Sequence, residues 1–300
     1  MQKTAVSTSP TQSAVPRAPQ TEPAKAAAPL REMVIPACPE LLVALRKEMS
    51  KEDPDPQVVA SIASRDVAMS AALLRTANAP YYARSRAATS VSEALGMLGV
   101  RMAEKLLTAI LMRQAVGTNS PVLAHFWDTS TRRALAMTHI ARQLFGVDAE
   151  LAYTCGLFCH VGIPILMQGV PGYAATLAQA LAQDDRSFTA TENAAHKTDH
   201  AVVGSLVART WNLPASIVQA VRLHHDFTVL QDTAVDSEVR SLVAMALLAE
   251  HLVAMHEAAP AQPEWKQYGP VCLSYLNVTS GELEIWLDAL HGPFDSVSMG

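Results

Sequence analysis

Gly156-Leu157-Phe158-Cys159-His160-Val161-Gly162 sets a histidine and a thiol at the end of an apolar helix. That helix opens behind Asp148, whose carboxylate suits an N-cap, and carries Leu151, Cys155, Leu157 and Phe158. Downstream the grammar is the same. Thr189 and Glu192 have capping-box spacing, and Pro214 opens a helix through Ile217, Val218, Val221 and His224. Leu242, Met245, Leu248, Leu252 and Met255 line another helix, and Thr279 with Glu282 caps the last. Upstream, Leu41, Leu42, Leu45 and Met49 follow helical spacing, and Asp55-Pro56 opens the next helix. Ser90 and Glu93 precede Ala94, Leu95 and Leu98. Met102 to Leu111 makes a longer helix, and Pro121 restarts the chain through Trp127 to Leu144. No sustained alternation and no hairpin turn signal appears, so the chain is read as all-α.

The 300 residues are 50% apolar, 17% charged and 5% aromatic, which is core-forming material with too little charge for general disorder. The formal charge of −5 argues against a nucleic-acid partner. No apolar run comes near the length needed to span a bilayer, and Met1-Gln2-Lys3 leads no signal-peptide-like stretch, so a cytoplasmic location is expected. Four cysteines fit a reducing compartment. Residues 1–32 read as a disordered Ala/Pro-rich tail. The last 75 residues hold eleven acids against Arg240 and Lys266, a solvated acidic surface or an end that meets a basic partner.

Five of the ten histidines stand out: His160, His196, His200, His224 and His225. His196 and His200 share a helical face if one helix continues through both. Asn78, closing an apolar helix after Arg75, reads as a left-handed cap or a clamp on the next segment. Cys155 and Cys159, four apart, read as small core neighbours. Arg84, Arg86, Arg101, Lys105 and Arg113 read as a solvated face. There is no phosphate-cradling glycine loop, nucleophile elbow or dinucleotide fingerprint.

Gly156 to Gly162 resembles the Gly-Leu-Leu-His-Asp-Ile-Gly segment of the HD superfamily of metal-dependent phosphohydrolases. The wider pattern resembles the HDOD family, the HD-related output domain of bacterial signalling proteins. The matching positions are Ile35-Pro36, Asp66-Val67, Leu73 to Ala79 with Arg75 and Asn78, Ser90 to Ala94 with Leu98-Gly99, and Phe126-Trp127 with Ser130. In the second half they are Gly156-Leu157, Glu192, His200 with Gly204, Trp211-Asn212-Leu213-Pro214, and His224-His225.

The resemblance implies a two-part helical bundle: an N-terminal subdomain over 33–117, a degenerate HD-like subdomain over 118–235, and C-terminal helices over 236–292 packing on the second. Active HD enzymes need a histidine, a His-Asp doublet and a distant aspartate around a divalent metal. Those positions fall at Thr129, at Cys159-His160 and at Glu250, so hydrolysis by the usual route is not expected. The vestigial pocket would then comprise Thr129, Cys159, His160, His200, His224, His225 and Glu250, with Arg75, Asn78, Trp127 and Trp211 as structural or recognition residues. Cys159, His160, His200 and His224 would suit zinc if their helices converge. The competing reading is a set of satisfied core polar groups, and neither metal nor cofactor is expected. The function implied is a non-enzymatic regulatory module, with no sensor or DNA-binding domain attached, that acts on another signalling protein. Alternatives are a divergent metal-dependent phosphohydrolase and a receptor for a nucleotide second messenger.

Overall fold

The structure, a computed structural model, describes residues 33–82, 87–117, 121–183 and 187–297, and among these no strand occurs. The proposed tail and Arg84 and Arg86 lie outside the described residues. Among the described residues five helices form the first group: α1 (Glu40–Met49), α2 (Pro56–Ser64), α3 (Val67–Ala77), α4 (Val91–Leu98) and α5 (Val100–Val116). Leu42, Leu45, Val59, Met69, Leu73 and Leu107 meet in its interior with no exposed surface. The longest helix, α6 (Pro121–Gln143), packs on α7 (Ala149–Phe158), α13 (Ser237–His256) and α15 (Ser280–Asp295). Between them the chain runs through α8 (Gly162–Gly169), α9 (Tyr173–Ala182), α10 (Phe188–His196), α11 (His200–Thr210) and α12 (Ala215–Leu223), and α14 (Pro263–Leu276) follows α13. Helix α13 packs on α6, α7, α12 and α14 and is buried on nearly every side.

Two segments, Ala149–Gly169 and Ser237–His256, reach mean hydropathies of 1.4 and 1.3, enough by length and composition to cross a membrane. The sequence reading overlooked them. Each is 72% buried inside the fold, the pattern of core helices.

The helix starts follow local chemistry. Asp55 accepts from the Gln57 amide at 2.8 Å, Asp148 from Glu150 and Leu151 at 2.7 and 3.1 Å, and Thr279 and Glu282 form a reciprocal capping box. Other expectations are corrected. Ser90 accepts from the Glu93 amide, but the Glu93 carboxylate returns to Thr89. Ser187, not Thr189, caps α10, because Glu192 is buried and spent elsewhere. His196 ends α10, Lys197 turns left-handed at φ 57°, and His200 opens α11, so the two histidines do not share a helix. For Asn78 only the left-handed reading fails, at φ −91°; the clamp holds, its side-chain amide bonding Ala88 from both sides at 2.7 and 3.0 Å. Lys105 leaves the solvated face: it is 3% exposed and lies 3.4 Å from Glu150.

Trp211 joins the two groups. Its indole donates to the Pro36 carbonyl at 2.8 Å, its own carbonyl accepts from Arg46 at 3.0 Å, and its ring meets Phe158 edge-on. Two glycines set the spacing around α7. A Cβ at Gly156 would stand 2.8 Å from Ala134 Cα on α6, and a Cβ at Gly162 would collide with the His200 carbonyl. Both are places where only a bare backbone fits.

Gly156→Ala is therefore expected to lower stability by about 1–3 kcal/mol through overpacking against α6, read from chemical unfolding. A second expectation concerns Glu104. Burial, then the Glu150 charge, push its carboxyl up to about 7. A raised carboxyl favours folding below the unfolded value and loses that contribution as pH rises through the folded one. Glu104→Gln should thus stabilise by about 1–3 kcal/mol near pH 8 and by little near pH 5, measured as unfolding free energy against pH.

Candidate functional site

Three helix ends converge in the second group: the turn after α7 bearing His160, the first residue of α11, His200, and the end of α12, His224-His225. Asp199 caps α11 by accepting from Val202 at 2.7 Å, which fixes where His200 starts. The bare Gly162 lets the turn press against the His200 backbone. The result is a cluster in which His160, His200, His224 and His225 each offer a ring nitrogen, all within 4.8 Å of one another.

The outer nitrogens define the inner ones. His200 Nδ1 meets Glu192 Oε2, His224 Nδ1 meets the Val221 carbonyl, and His225 Nδ1 meets Glu264 Oε2, each at 2.7 Å. Carbonyls and carboxylates only accept, so each Nδ1 donates there and each Nε2 turns inward. His200 Nε2 lies 3.2 Å from His224 Nε2 and 3.1 Å from His225 Nε2. Tyr173 donates its hydroxyl to the other Glu192 oxygen, so a fully buried carboxylate is held on both sides. Burial, then neighbouring histidines, push His224 well below the ordinary imidazole range. At His225 burial acts against charging, but Glu264 and the further carboxylates Glu250 and Glu192 raise it overall.

His160 belongs to a second set. An Arg133 guanidinium nitrogen donates to His160 Nδ1 at 3.2 Å, while His160 Nε2 and Arg133 Nε stand 2.9 and 3.3 Å from one oxygen, Glu250 Oε1. Neither approach to Glu250 is well directed, so all three atoms lack an aligned hydrogen bond. Burial, then Arg133, press His160 well below its ordinary value. Thr129 Oγ1 is also buried without a partner.

Thr129, Arg133, His160, His225 and Glu250 line one cavity of about 330 Å³, walled by Phe126, Ile163, Met167, Leu177 and Phe188 among others. His200 and His224 sit behind His225, fully or almost fully buried. Of the residues drawn from the sequence, Cys159 does not join them. Its sulfur faces Cys155 at 3.8 Å in the core, so His225 replaces it in any imidazole set. Arg75 and Trp127 line a different crevice of about 110 Å³ between α3, α5 and α6, and Trp211 is the interhelical staple described above. Arg133 and Glu264 were missed. Arg133 follows Thr129 by one helical turn, a spacing that could have flagged it, whereas Glu264 reaches His225 from 39 residues away.

Removing one partner of the buried Arg133–Glu250 pair leaves a carboxylate unpaired. Arg133→Ala is expected to destabilise by about 3–5 kcal/mol in chemical unfolding, and Arg133→Ala with Glu250→Gln by clearly less.

The HDOD domain family model matches residues 35–227, the span holding α1 to α12 and all four clustered histidines. An uncharacterised protein of Treponema pallidum is 24% identical over 213 residues, 69% of this chain and 41% of the relative, so the chain spans about two-fifths of that protein's length. Among solved structures, an HDOD domain protein of unknown function from Geobacter sulfurreducens is similar with a TM-score of 0.69 at 18% identity, covering 90% of this chain and 96% of that one. A Shewanella amazonensis protein provisionally named a phosphohydrolase gives 0.68 at 23% identity, covering 90% and 97%. A Marinobacter aquaeolei protein provisionally named a signal transduction protein gives 0.67 at 16% identity, covering 88% of this chain and 58% of that one. The helical order, the histidine positions and the match over 35–227 agree: this chain belongs to the HDOD domain family.

Proposed function

We propose that this chain is a regulatory module of bacterial signal transduction that acts by contact with another signalling protein in the cytoplasm, without hydrolysing phosphate esters by the usual HD route. Family membership, together with a fold like that of the Marinobacter protein, fits a regulatory role. The observation that carries the non-catalytic reading is Arg133. Where an HD enzyme would hold a metal between its histidine and acid, a guanidinium here lies against both His160 and Glu250. Cys159 turns away, and Thr129 offers only a hydroxyl. A fixed side-chain cation can balance Glu250, but it cannot lower the pKa of a water as a metal does. The net charge of −5 supports a protein partner over nucleic acid.

A second reading, a receptor for a nucleotide-like ligand, draws on the 330 Å³ cavity, whose apolar walls and unpartnered polar floor have the make-up of small-ligand sites.

The test is hydrolysis of phosphodiester and phosphomonoester substrates by the purified chain supplied with divalent metals. Turnover no higher than that of His160→Ala is expected. Turnover that Glu250→Gln and His160→Ala both abolish would overturn the non-catalytic reading.

A further inference from the structure

We propose that His200, His224 and His225 bind one divalent transition-metal ion of zinc-like softness through their Nε2 atoms, beside the Arg133-filled position and separate from it. This goes beyond the regulatory reading and does not depend on it.

Three observations carry the inference. The first is spacing. Zinc–imidazole bonds of about 2.0–2.1 Å at tetrahedral angles place ligand nitrogens about 3.3–3.4 Å apart. The His200 Nε2 separations of 3.2 and 3.1 Å lie close to that. The second is the outer support. Every one of the three rings has its Nδ1 tied to an acceptor at 2.7 Å, two of them carboxylates, the arrangement that fixes tautomer and raises ligand basicity in metal centres.

The third is charge. Glu192 is completely buried and the Glu264 side chain is 12% exposed, so their two negative charges need compensation. A dication among the three Nε2 atoms balances both carboxylates. Arg133 and Glu250 balance each other separately.

All-nitrogen donors select zinc and its first-row neighbours over magnesium or calcium. His160 stays outside the primary set because Arg133 occupies its Nδ1 and Glu250 its Nε2 side. His225 lines the cavity, so the ion's remaining position faces a space that water or a ligand atom can reach. The ion would tie α11, α12 and α14 together, since its ligands and their supports come from all three and from α10.

The experiment strips the 300-residue chain with a chelator, reloads it with Zn²⁺ or Co²⁺, and reads metal per chain, the Co²⁺ visible spectrum and the thermal midpoint. One ion per chain, a tetrahedral-type Co²⁺ spectrum and a higher midpoint are expected. His225→Ala should lose the ion. Glu264→Gln, which keeps the ligands, should fold and bind about 10–100-fold more weakly. His291→Ala, at an exposed position on α15 outside the cavity, serves as control and should bind normally. No uptake by the stripped wild-type chain would overturn the proposal. Uptake that His225→Ala and Glu264→Gln both leave unchanged would also overturn it, by assigning an adventitious ion only.

Discussion

Everything at the site depends on the turn after α7 meeting the start of α11 backbone to backbone. Gly162 has no side chain because the His200 carbonyl stands where one would be, and Gly156 has none because α6 passes there. These two contacts hold the α7 end against α6 and α11 together. They bring His160 beside His200 and within reach of Arg133 on α6. Close packing of this kind resists small adjustments, so the histidine positions are set by the core rather than by each other.

Within that frame two charge systems lie side by side. One joins Arg133, His160 and Glu250 and is balanced by side chains alone. The other joins Glu192, Glu264 and three imidazoles whose Nε2 atoms face one another. In the first, a guanidinium lies against both the imidazole and the carboxylate, the contact on which the proposed non-catalytic reading rests. The second keeps the oriented donors of a metal centre without a bridging carboxylate.

Much of the fold was legible from local signals. Asp55-Pro56, Asp148 and Thr279 with Glu282 start helices where their chemistry says they should, and the apolar spacing of α1, α6 and α13 marks buried faces. Failures came where a residue with local capping potential was claimed by a distant partner. Glu192 has the spacing of a cap but is buried against His200 and Tyr173. Asn78, by contrast, met the second of its two readings, holding Ala88 on the next segment without a left-handed turn. Cys159 looked like a ligand from its place in the motif, yet a helix end directs neighbouring side chains to different sides, and its own points into the core.

The sequence by itself determined an all-helical chain, its family and the set of histidines worth following, because caps, periodicity and motif residues act over a few positions. Only the tertiary structure decided which nitrogen each imidazole turns inward and that Arg133 stands against Glu250. It also decided that Glu264 supports His225. Those facts depend on distances between helices far apart in the chain, and no local pattern encodes where the ends of such helices meet.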